Sequence, residues 1–561
     1  MRRVDGAGPR PAESSGGWWR TPRGAAVIVA AAALLAFAGS LANDFTYDEG
    51  QVIVGAQRFL QSGSYGTLFS PSYFAHSLEG TWRPVCTFTY MLDAAVSMHP
   101  AVFKLQSLLW HIAAAWLLMA LVRRLLPARF ARWAVVAGLF FVLHPVTTET
   151  VDNASFREDS LVTVFVLATL TLALDGRRVA ALVCYGLGLL SKESAVVAPA
   201  LLGVLWLAGF QGKPTRAPGV RVPPPPGRRG LWQTARELVP YGLLTVVYLA
   251  LRFGPMKSPV PYAEYPGGTF GATLLGLPAI WAHYLHQIIW PWPLCAEYTG
   301  YFRFGRQPWP HVALALVLVL SYLALIGLAA RRGWRDVALG LGWFLIALLP
   351  VSNLLPIPIP AAERFLYLPL CGLALAVAGS FGRLVEKGAF GVRVVLGVCL
   401  VSFAVLVNLR HRDWRDDHAL WLATVAVNPR SCGAQSAVGG SLLSQGMATG
   451  DAGALRESVR RERLALDLCP DASEPYRAAF AYTRLGAAEA LLGEHAQARA
   501  ALQRAMELHP RLGLPVAWLG YVAYLDGDTA GAATLLKRAI IDLGPPDSTV
   551  AAVARLYVDK L

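Results

Sequence analysis

Long apolar runs separated by short polar loops occupy about the first 410 residues of the chain. A membrane-spanning helix needs about 20 consecutive apolar residues. Eleven spans are predicted on this basis, at 24–42, 102–122, 133–150, 160–174, 178–190, 194–210, 238–253, 311–330, 337–352, 365–382 and 392–409. The spans 178–190 and 194–210 are short, so the segment LLSKESAVV between them is predicted to turn just inside the outer boundary of the membrane.

The apolar stretch 271–293 differs from the other runs because it contains an internal proline, two histidines and three tryptophans. Counted as a span, it places the downstream cluster ARRGWR outside; counted as a re-entrant or interfacial helix, it places that cluster inside. Basic residues concentrate in cytoplasmic loops, and the second option also brings Arg383, Lys387 and Arg393 inside. The sequence therefore favours the second option, with the N-terminus in the cytoplasm and the C-terminus outside.

From about residue 410 the chain becomes polar and alanine-rich, with helical periodicity. Three pairs of small residues are 34 residues apart: Gly486 and Gly520, Ala498 and Ala532, and Ala505 and Ala539. This is the period of the tetratricopeptide repeat. Repeats are predicted near 432–470, 479–512 and 513–546, the first of them degenerate. Such a stack offers a concave surface to an extended peptide or partner protein; alternatively it is a spacer or a dimerisation arm.

The predicted fold class is all-α, a polytopic membrane protein of about 11 transmembrane helices with a C-terminal helical solenoid. Its parts are a cytoplasmic tail at 1–23, a membrane domain at 24–409 and an exoplasmic repeat domain at 410–561. The membrane domain carries long outer loops at 43–101 and 254–310. The first apolar run follows several arginines and lacks a cleavage-site pattern, so it is predicted to be an uncleaved span rather than a signal peptide.

Composition agrees with a membrane protein and argues against a nucleic-acid binder. Of 561 residues, 55% are hydrophobic and only 15% charged, and the mean hydropathy is +0.44. The net charge of +14 comes from basic residues in short loops, as expected on the cytoplasmic side. Seven cysteines show no metal-ligand spacing, but Cys432 and Cys469 could pair in an oxidising compartment. The alanine, arginine and proline bias favours a bacterial plasma membrane.

Six ionisable residues are predicted to share the outer face: Asp48, Glu49, Glu149, Asp159, Lys192 and Arg364. Ionisable groups near the hydrocarbon are costly and tend to be functional. The adjacent acids Asp48 and Glu49 cannot both face one small site, so one is predicted to face chemistry while the other holds the loop. A carboxylate at a low-dielectric boundary has a raised pKa, which suits general-base catalysis. The alternative is a solvated or helix-capping acid.

Lys192 and Arg364 follow or precede apolar helices and could grip a lipid-linked phosphate, Arg364 as a fork and Lys192 as a point charge. The alternative is snorkelling toward lipid headgroups. A second outer group consists of Arg83, His144, Glu149, Arg157 and Asp159. The histidine and the acids of the outer loop 144–159 could hold a divalent metal, although no spacing among them is diagnostic. No nucleotide-binding motif is visible.

Several segments together resemble the transmembrane and tetratricopeptide-repeat O-mannosyltransferases, members of the GT-C glycosyltransferase superfamily. They are FTYDEGQVI, WRPVCTFTYMLD, HPAVFKLQSLLWH, LHPVTTETV, LLSKES, NLLPIPIPAAERFLYLP and HRDWRDDHALW, followed by the repeats. They occur in the family's order and cover nearly the whole chain. The resemblance implies inverting transfer of a sugar, mannose in the first instance, from a polyprenyl phosphate to Ser/Thr hydroxyls of proteins on the exoplasmic face.

The resemblance also implies roles for individual residues. Asp48 would act on the acceptor hydroxyl with support from Glu49, and Lys192 and Arg364 would bind the carrier phosphate, with Tyr367 beside them. Glu149 matches an acid of the family's outer loop, and Arg157 and Asp159 match further loop positions. The acceptor protein would be held by the repeats.

Two departures from the family pattern leave the sugar and the acceptor open. Thr147 stands where the family has a second histidine, and FRED stands where it has GRxD. Two alternatives remain from the sequence: a glycosyltransferase acting on a glycolipid or polysaccharide, and a non-catalytic transporter or anchor that displays the repeats. A transporter often shows duplicated halves, and none are visible.

Overall fold

The computed structural model describes residues 21–210, 230–259, 264–302, 304, 309–469 and 475–541. The predicted tail at 1–23 lies almost wholly outside these residues, as does the end of the third repeat. Every regular element in the described ranges is helical, which confirms the all-α prediction.

Ten helices precede residue 210: α1 Pro22–Phe37, α2 Gln57–Gln61, α3 Tyr73–Ser77, α4 Pro84–Val96, α5 Pro100–Leu125, α6 Ala134–Leu143, α7 Thr148–Asp152, α8 Arg157–Leu174, α9 Arg178–Ser191 and α10 Ala198–Leu207. Six more complete the apolar part: α11 Leu231–Phe253, α12 Phe270–Ile289, α13 Trp309–Arg331, α14 Arg335–Leu348, α15 Tyr367–Glu386 and α16 Phe390–Asp413. The C-terminal part contains α17 Asp417–Val427, α18 Cys432–Thr449, α19 Ala452–Leu468, α20 Pro475–Leu491, α21 His495–Leu508, α22 Gly513–Leu525 and α23 Thr529–Ile541.

The chain is a polytopic membrane protein. Five helical segments in the described ranges are long and apolar enough to cross a bilayer: Pro22–Ala42, Pro100–Leu125, Val312–Arg331, Glu363–Glu386 and Phe390–Asp413. A sixth is formed if Ala128–Leu143 and Pro145–Asp152, bent by 57°, count as one span. The remaining predicted runs form helices that are either too short or not apolar enough to be counted as spans. The number of eleven spans and the interfacial nature of 271–293 therefore stay predictions.

The helical structure is interrupted near residue 192, between the two short apolar runs, where the sequence predicts a turn. Helix α9 ends at Ser191, Lys192 is extended at φ −160° and ψ 141°, and a 3-10 turn covers Glu193–Val197 before α10. The break places the Lys192 side chain between two helix ends. The charged side chain of Lys192 therefore enters the membrane domain from a turn and not from the middle of a helix.

Helix α15 is central to the membrane domain, and glycines let a neighbour approach its backbone. A Cβ at Gly340 of α14 would lie 2.4 Å from the carbonyl oxygen of Gly372, and one at Gly372 would lie 2.5 Å from that of Gly340. Such contacts are typical of closely packed membrane helices. Most of α15 is buried, whereas most of the membrane part of α16 is exposed.

Helix α16 joins the membrane domain to the C-terminal part without interruption. Its last turn carries two buried residues, Arg410 and His411. Arg410 Nη2 lies 3.3 Å from Oε1 of Glu363, and His411 Nδ1 lies 2.5 Å from Oδ2 of Asp152. These contacts fix the exit of α16 against the start of α15 and the end of α7.

Three helix hairpins, α18–α19, α20–α21 and α22–α23, lie where the three repeats are predicted. The 34-residue period has a packing cause in the last two. A Cβ at Gly486 would lie 2.6 Å from Leu502, and a Cβ at Gly520 would lie 3.0 Å from Leu536, 16 residues further along in both cases. A Cβ at Gly486 would force Leu502 to shift, and one at Gly520 would press tightly on Leu536. The assignment to the tetratricopeptide family stays a prediction.

A disulfide links Cys432 at the start of α18 to Cys469 after the end of α19, closing 37 residues of chain. The other five cysteines are free. Disulfides persist in oxidising compartments, so the bond is consistent with an exoplasmic C-terminal part.

We expect the first hairpin to depend on this bond. Alkylation of the unfolded, unreduced protein should label five cysteines, and all seven after reduction, as counted by mass spectrometry. Cys432→Ser should destabilise the C-terminal part by about 2–5 kcal/mol, measured as a lower Tm. Cys399→Ser, at an exposed free cysteine, is the matched control and should leave Tm unchanged. Labelling of seven cysteines without reduction would contradict the pairing.

Candidate functional site

The charged side chains of the outer loops come together because most of them stand at helix ends. Arg83 precedes Pro84, the first residue of α4, and Lys192 lies in the break after α9. Glu149 and Asp159 lie in the first turns of α7 and α8. Arg364 lies in the 3-10 turn Glu363–Leu366 that leads into α15. Converging helix ends thus assemble charges from four separate parts of the sequence, near residues 83, 149–159, 192 and 364.

The adjacent acids Asp48 and Glu49 differ completely in their surroundings. Glu49 is fully buried: its Oε2 accepts from the Thr46 backbone N–H at 2.7 Å, and its Oε1 accepts from that of Ala154 at 2.6 Å. Lys104 Nζ lies 3.4 Å from Glu49 Oε2. Glu49 therefore fastens the first outer loop to the turn before α8, as the sequence predicted for one of the two acids.

The Asp48 side chain is open to a cleft rather than engaged in packing. The surrounding protein nevertheless removes much of its water, and this desolvation raises the pKa of Asp48 to about 6. Arg364 and Arg83 oppose the rise, whereas Glu158 and Glu149 add to it. A carboxylate with this pKa is ionised near neutral pH and accepts a proton more readily than an ordinary aspartate.

Tyr47 connects the first outer loop to the C-terminal part. It adopts a left-handed backbone conformation at φ +57°, and its backbone N–H donates to Asp417 Oδ1 at 2.8 Å. Its ring stacks on Trp421 at 5.0 Å and contacts Phe156 at 5.5 Å. Since Asp48 follows directly, these contacts fix its position relative to the repeats.

Arg364 forms a buried pair with Glu149. Its guanidinium Nη1 bonds to Glu149 Oε1, and its backbone N–H donates to Oε2 at 2.6 Å. The guanidinium lies 3.9 Å from the centre of the Phe156 ring. Arg364 is thus held in one orientation, with further N–H groups beyond those that bond Glu149.

Lys192 belongs to a second group of ion pairs next to Arg364. Its Nζ lies 2.6 Å from Asp159 Oδ2 and 3.1 Å from Glu158 Oε1. An ammonium group has three donors, so these two contacts leave one. Both cations approach the Phe365 ring, with Lys192 Nζ at 5.8 Å and Arg364 Cζ at 5.4 Å from its centre. The cations are therefore no farther apart than the sum of these distances.

Arg83 extends this group toward α11. It pairs with Glu158 and lies 3.3 Å from Glu193, which also lies 3.4 Å from Arg252. We call Arg83, Lys192, Arg364 and their carboxylates Glu149, Glu158 and Asp159 the charged cluster.

A cleft of about 370 Å³ separates Asp48 from the C-terminal helices. Tyr47, Asp48 and Glu297 line one side, and α17 to α20 line the other with Trp421, Tyr476, Phe480, Arg484 and the disulfide Cys432–Cys469. We call this space the repeat cleft. Asp48 lies at its boundary, within electrostatic reach of Arg364 and Arg83. Asp48 therefore lines the cleft and also lies close enough to the charged cluster to be influenced by its charges.

Three predicted site residues do not contribute to this arrangement. The Tyr367 hydroxyl lies 2.6 Å from Nδ1 of His111 in the helical core. Arg157 pairs with Asp93 at 2.7 Å and bonds several groups of α4 and α5. His144 Nε2 lies 3.1 Å from the Ile288 carbonyl oxygen. All three act in helix packing.

The sequence analysis missed three acids near the site. Glu158 and Glu193 neighbour the predicted Asp159 and Lys192, so their position beside these residues was an available signal. No signal in the sequence pointed to Glu79, which lies half-buried in the loop before α4. Burial raises the pKa of Glu79 to about 8, with Glu158 and Asp48 adding to the rise and Arg83 opposing it.

No group of three His, Cys, Asp or Glu side chains in the described ranges is placed to hold a metal ion. The acids of the charged cluster are instead engaged by cations. The metal suggested by the residue types finds no ready ligand set among them.

Comparison with known proteins gives several relatives whose match covers most of the chain. A protein O-mannosyl-transferase of Caenorhabditis elegans is 24% identical over 413 residues, 71% of this chain and 57% of the relative. The protein O-mannosyl-transferase TMTC4 of Mus musculus is 24% identical over 479 residues, 74% of this chain and 64% of the relative. Tmtc3 of Drosophila melanogaster, named as the same kind of transferase, is 25% identical over 439 residues, 65% of this chain and 47% of the relative.

The chain thus spans less than two thirds of the length of each of these relatives. No protein-family model matches the chain.

Proposed function

The chain is related over most of its length to the TMTC protein O-mannosyl-transferases, and on this premise we propose that it is an inverting membrane glycosyltransferase. It moves a sugar, mannose in the first instance, from a polyprenyl phosphate to Ser/Thr hydroxyls of proteins. The observation that carries the proposal is the position of Asp48, which lines the repeat cleft within electrostatic reach of the charged cluster.

The charged cluster supports binding of the donor phosphate. Lys192 keeps one N–H beyond its two carboxylates, and Arg364 keeps several beyond Glu149. Both cations are oriented before any ligand arrives, which lowers the reorganisation needed as charge develops on a leaving phosphate. The apolar helices around them suit the polyprenyl chain.

The chemical step follows from the position of Asp48. Its ionised carboxylate takes the proton of the acceptor hydroxyl while the hydroxyl oxygen attacks the anomeric carbon. The bond from this carbon to the phosphate oxygen breaks, and its electron pair stays on the phosphate beside Lys192 and Arg364. A single displacement inverts the configuration. Because phosphate is already a fair leaving group, positioning and charge stabilisation are the main requirements.

The repeat cleft supports binding of the acceptor as an extended polypeptide segment. It is lined by aromatic rings on both sides and by charged groups, and aromatic side chains dominate the energetics of such surfaces. The stack of Tyr47 on Trp421 joins the cleft directly to the loop of Asp48. An acceptor seated there would present its hydroxyl to this carboxylate.

Tyr476→Ala tests the cleft. Tyr476 is 58% exposed at the start of α20 and lines the cleft, so its loss should raise the acceptor KM about tenfold without changing the donor KM. Leu464→Ala in α19 is the matched control, because Leu464 is 38% exposed but does not line the cleft. Initial rates with a Ser/Thr-rich polypeptide measure both constants. Equal effects of the two variants would contradict acceptor binding in the cleft.

The activity itself is tested with purified full-length protein, polyprenyl-phosphate mannose and a periplasmic extract. Mass spectrometry of the products should identify hexose on Ser or Thr. Sugar found only on glycolipid or polysaccharide would overturn the protein acceptor, and no transfer from several polyprenyl-phosphate sugars would overturn the reaction.

We further propose that the protein lies in a bacterial inner membrane with its N-terminus in the cytoplasm and its repeats outside. The disulfide in the C-terminal part supports this orientation, as does the arginine bias of the loops. Reporter fusions after residues 230 and 469 should report opposite sides of the membrane. The same side for both would reject the orientation.

A further inference from the structure

A second, almost wholly apolar space lies in the membrane domain. This groove of about 590 Å³ is bounded by the second half of α13, the first half of α14, the second half of α15 and the first half of α16. Its lining includes Leu328, Leu341, Val377, Val395 and Phe403. It arises because α16 leaves a gap beside α15 over this stretch, where most of its side chains are exposed.

The groove lies at the membrane face opposite the charged cluster. Helix α15 runs from the turn that contains Arg364 to Leu384 at the groove's entrance. Twenty helical residues cover about 30 Å, the thickness of the hydrocarbon core. The lining on α16 extends from Val392 to Phe403, about 16 Å at 1.5 Å per residue. The groove is therefore as deep as one leaflet.

One exposed arginine, Arg332, stands at the entrance. Arg332 lines the groove, is exposed and lies 5.7 Å from the Trp334 ring. Its neighbours Arg331 and Arg335 are also exposed, and none of the three forms an ion pair among the described residues. Arg383 differs because both its Nη atoms bond Asp336, at 2.8 and 2.6 Å. The entrance thus carries net positive charge at the depth of a headgroup.

We propose that the groove binds one acyl chain of an anionic phospholipid, with its phosphate at Arg332. The apolar lining fits the chain, its length fits a single leaflet, and Arg332 complements the headgroup, as in basic pockets between membrane helices. The lipid fills the gap between α15 and α16. This site is separate from the donor site and does not depend on the proposed reaction.

Native mass spectrometry of delipidated full-length protein tests the proposal, with phosphatidylglycerol and phosphatidylcholine of identical acyl chains as probes. One phosphatidylglycerol should be retained at least about fivefold more tightly than phosphatidylcholine. Arg332→Gln should remove most of this preference, whereas Arg331→Gln, with the same charge change outside the lining, should not. Val395→Trp should block binding of either lipid. Val398→Trp is its control, on the same helix and similarly exposed but outside the lining.

Equal retention of the two phospholipids would overturn the charge argument. Equal lipid binding by the Val395→Trp and Val398→Trp variants would show that the lipid does not bind in the groove. Displacement of phosphatidylglycerol by a polyprenyl phosphate, abolished by Val395→Trp, would assign the groove to the donor's tail instead. Melting temperatures of the variants verify that they fold.

Discussion

Asp48→Asn is expected to lower kcat for sugar transfer by about 10²–10⁴-fold, the usual contribution of a positioned general base. The amide cannot take the acceptor's proton, yet it keeps the size of the side chain. Both KM values should stay within about threefold, because the donor is bound by the cations and the acceptor by the repeat cleft. Initial rates with saturating donor and acceptor measure the effect. Unchanged transfer would remove Asp48 from the mechanism.

Glu49→Gln is the matched control for this variant. Glu49 is buried against Lys104 and two backbone N–H groups, so its change should destabilise the fold, by about 3–5 kcal/mol if Lys104 stays charged. Asp48→Asn should leave Tm unchanged or slightly higher, because desolvation makes the ionised Asp48 unfavourable for folding above its raised pKa. A loss of Tm with Asp48→Asn and none with Glu49→Gln would reverse the two roles.

The pKa of Asp48 predicts how the activity of the enzyme falls at low pH. Its pKa of about 6 means that the proton-accepting form is lost as the pH falls through 6, so Asp48 is about nine-tenths protonated at pH 5. The kcat/KM of the natural sequence should fall about tenfold for each pH unit below 6. The residual activity of Asp48→Asn should lack this limb. If kcat/KM instead declined around the usual pKa of an aspartate, the decline would be assigned to a group other than Asp48.

Lys192→Ala is expected to lower kcat/KM for the lipid donor by about 10²-fold, through loss of one fixed cation at the leaving phosphate. The acceptor KM should not change, because Lys192 lies in the charged cluster and not in the repeat cleft. Steady-state rates with donor and acceptor varied separately give the two constants. An effect confined to the acceptor would overturn the phosphate assignment.

Controls separate this effect from damage to the fold. Lys192→Ala leaves Asp159 and Glu158 with one cation fewer, so the double variant Lys192→Ala with Asp159→Asn should recover Tm without recovering activity. Arg252→Ala removes a cation that contacts Glu193 rather than the acids beside Lys192, and it should keep most of the activity. Activity that follows Tm across these variants would make Lys192 structural.

The helical fold could be predicted from sequence, and so could the hydrogen-bonded position of one of the two adjacent acids; the catalytic role of Asp48 stays a prediction. Apolar runs and a 34-residue period report which segments are helical and which small residues lie at close contacts. The break at Lys192 followed from two runs too short to span separately. The pairing of Cys432 with Cys469 was predicted only as an option, since spacing alone does not select partners.

The positions of Arg157, His144 and Tyr367 could not be predicted in this way. Each lies within five residues of a member of the charged cluster in sequence, but proximity in sequence near a helix end does not fix which way a side chain points. Tyr367 follows Arg364 by three residues and still bonds His111 in the core. The half-buried Glu79 was missed for a related reason, because a single acid in a loop has no periodicity.

The joint at the end of α16 limits where this protein can be divided. Arg410 and His411 are the partners of Glu363 and Asp152, which lie in the interior of the other part. A chimera joined at residue 409 would take the two partners of each ion pair from different parent proteins, and without those partners Glu363 and Asp152 would be buried acids lacking a cation. A chimera joined after residue 413 would keep both ion pairs. Of the two joints, only the one beyond this helix keeps both ion pairs within one parent sequence, so the terminal turn of α16 belongs structurally with the membrane portion rather than with the repeats.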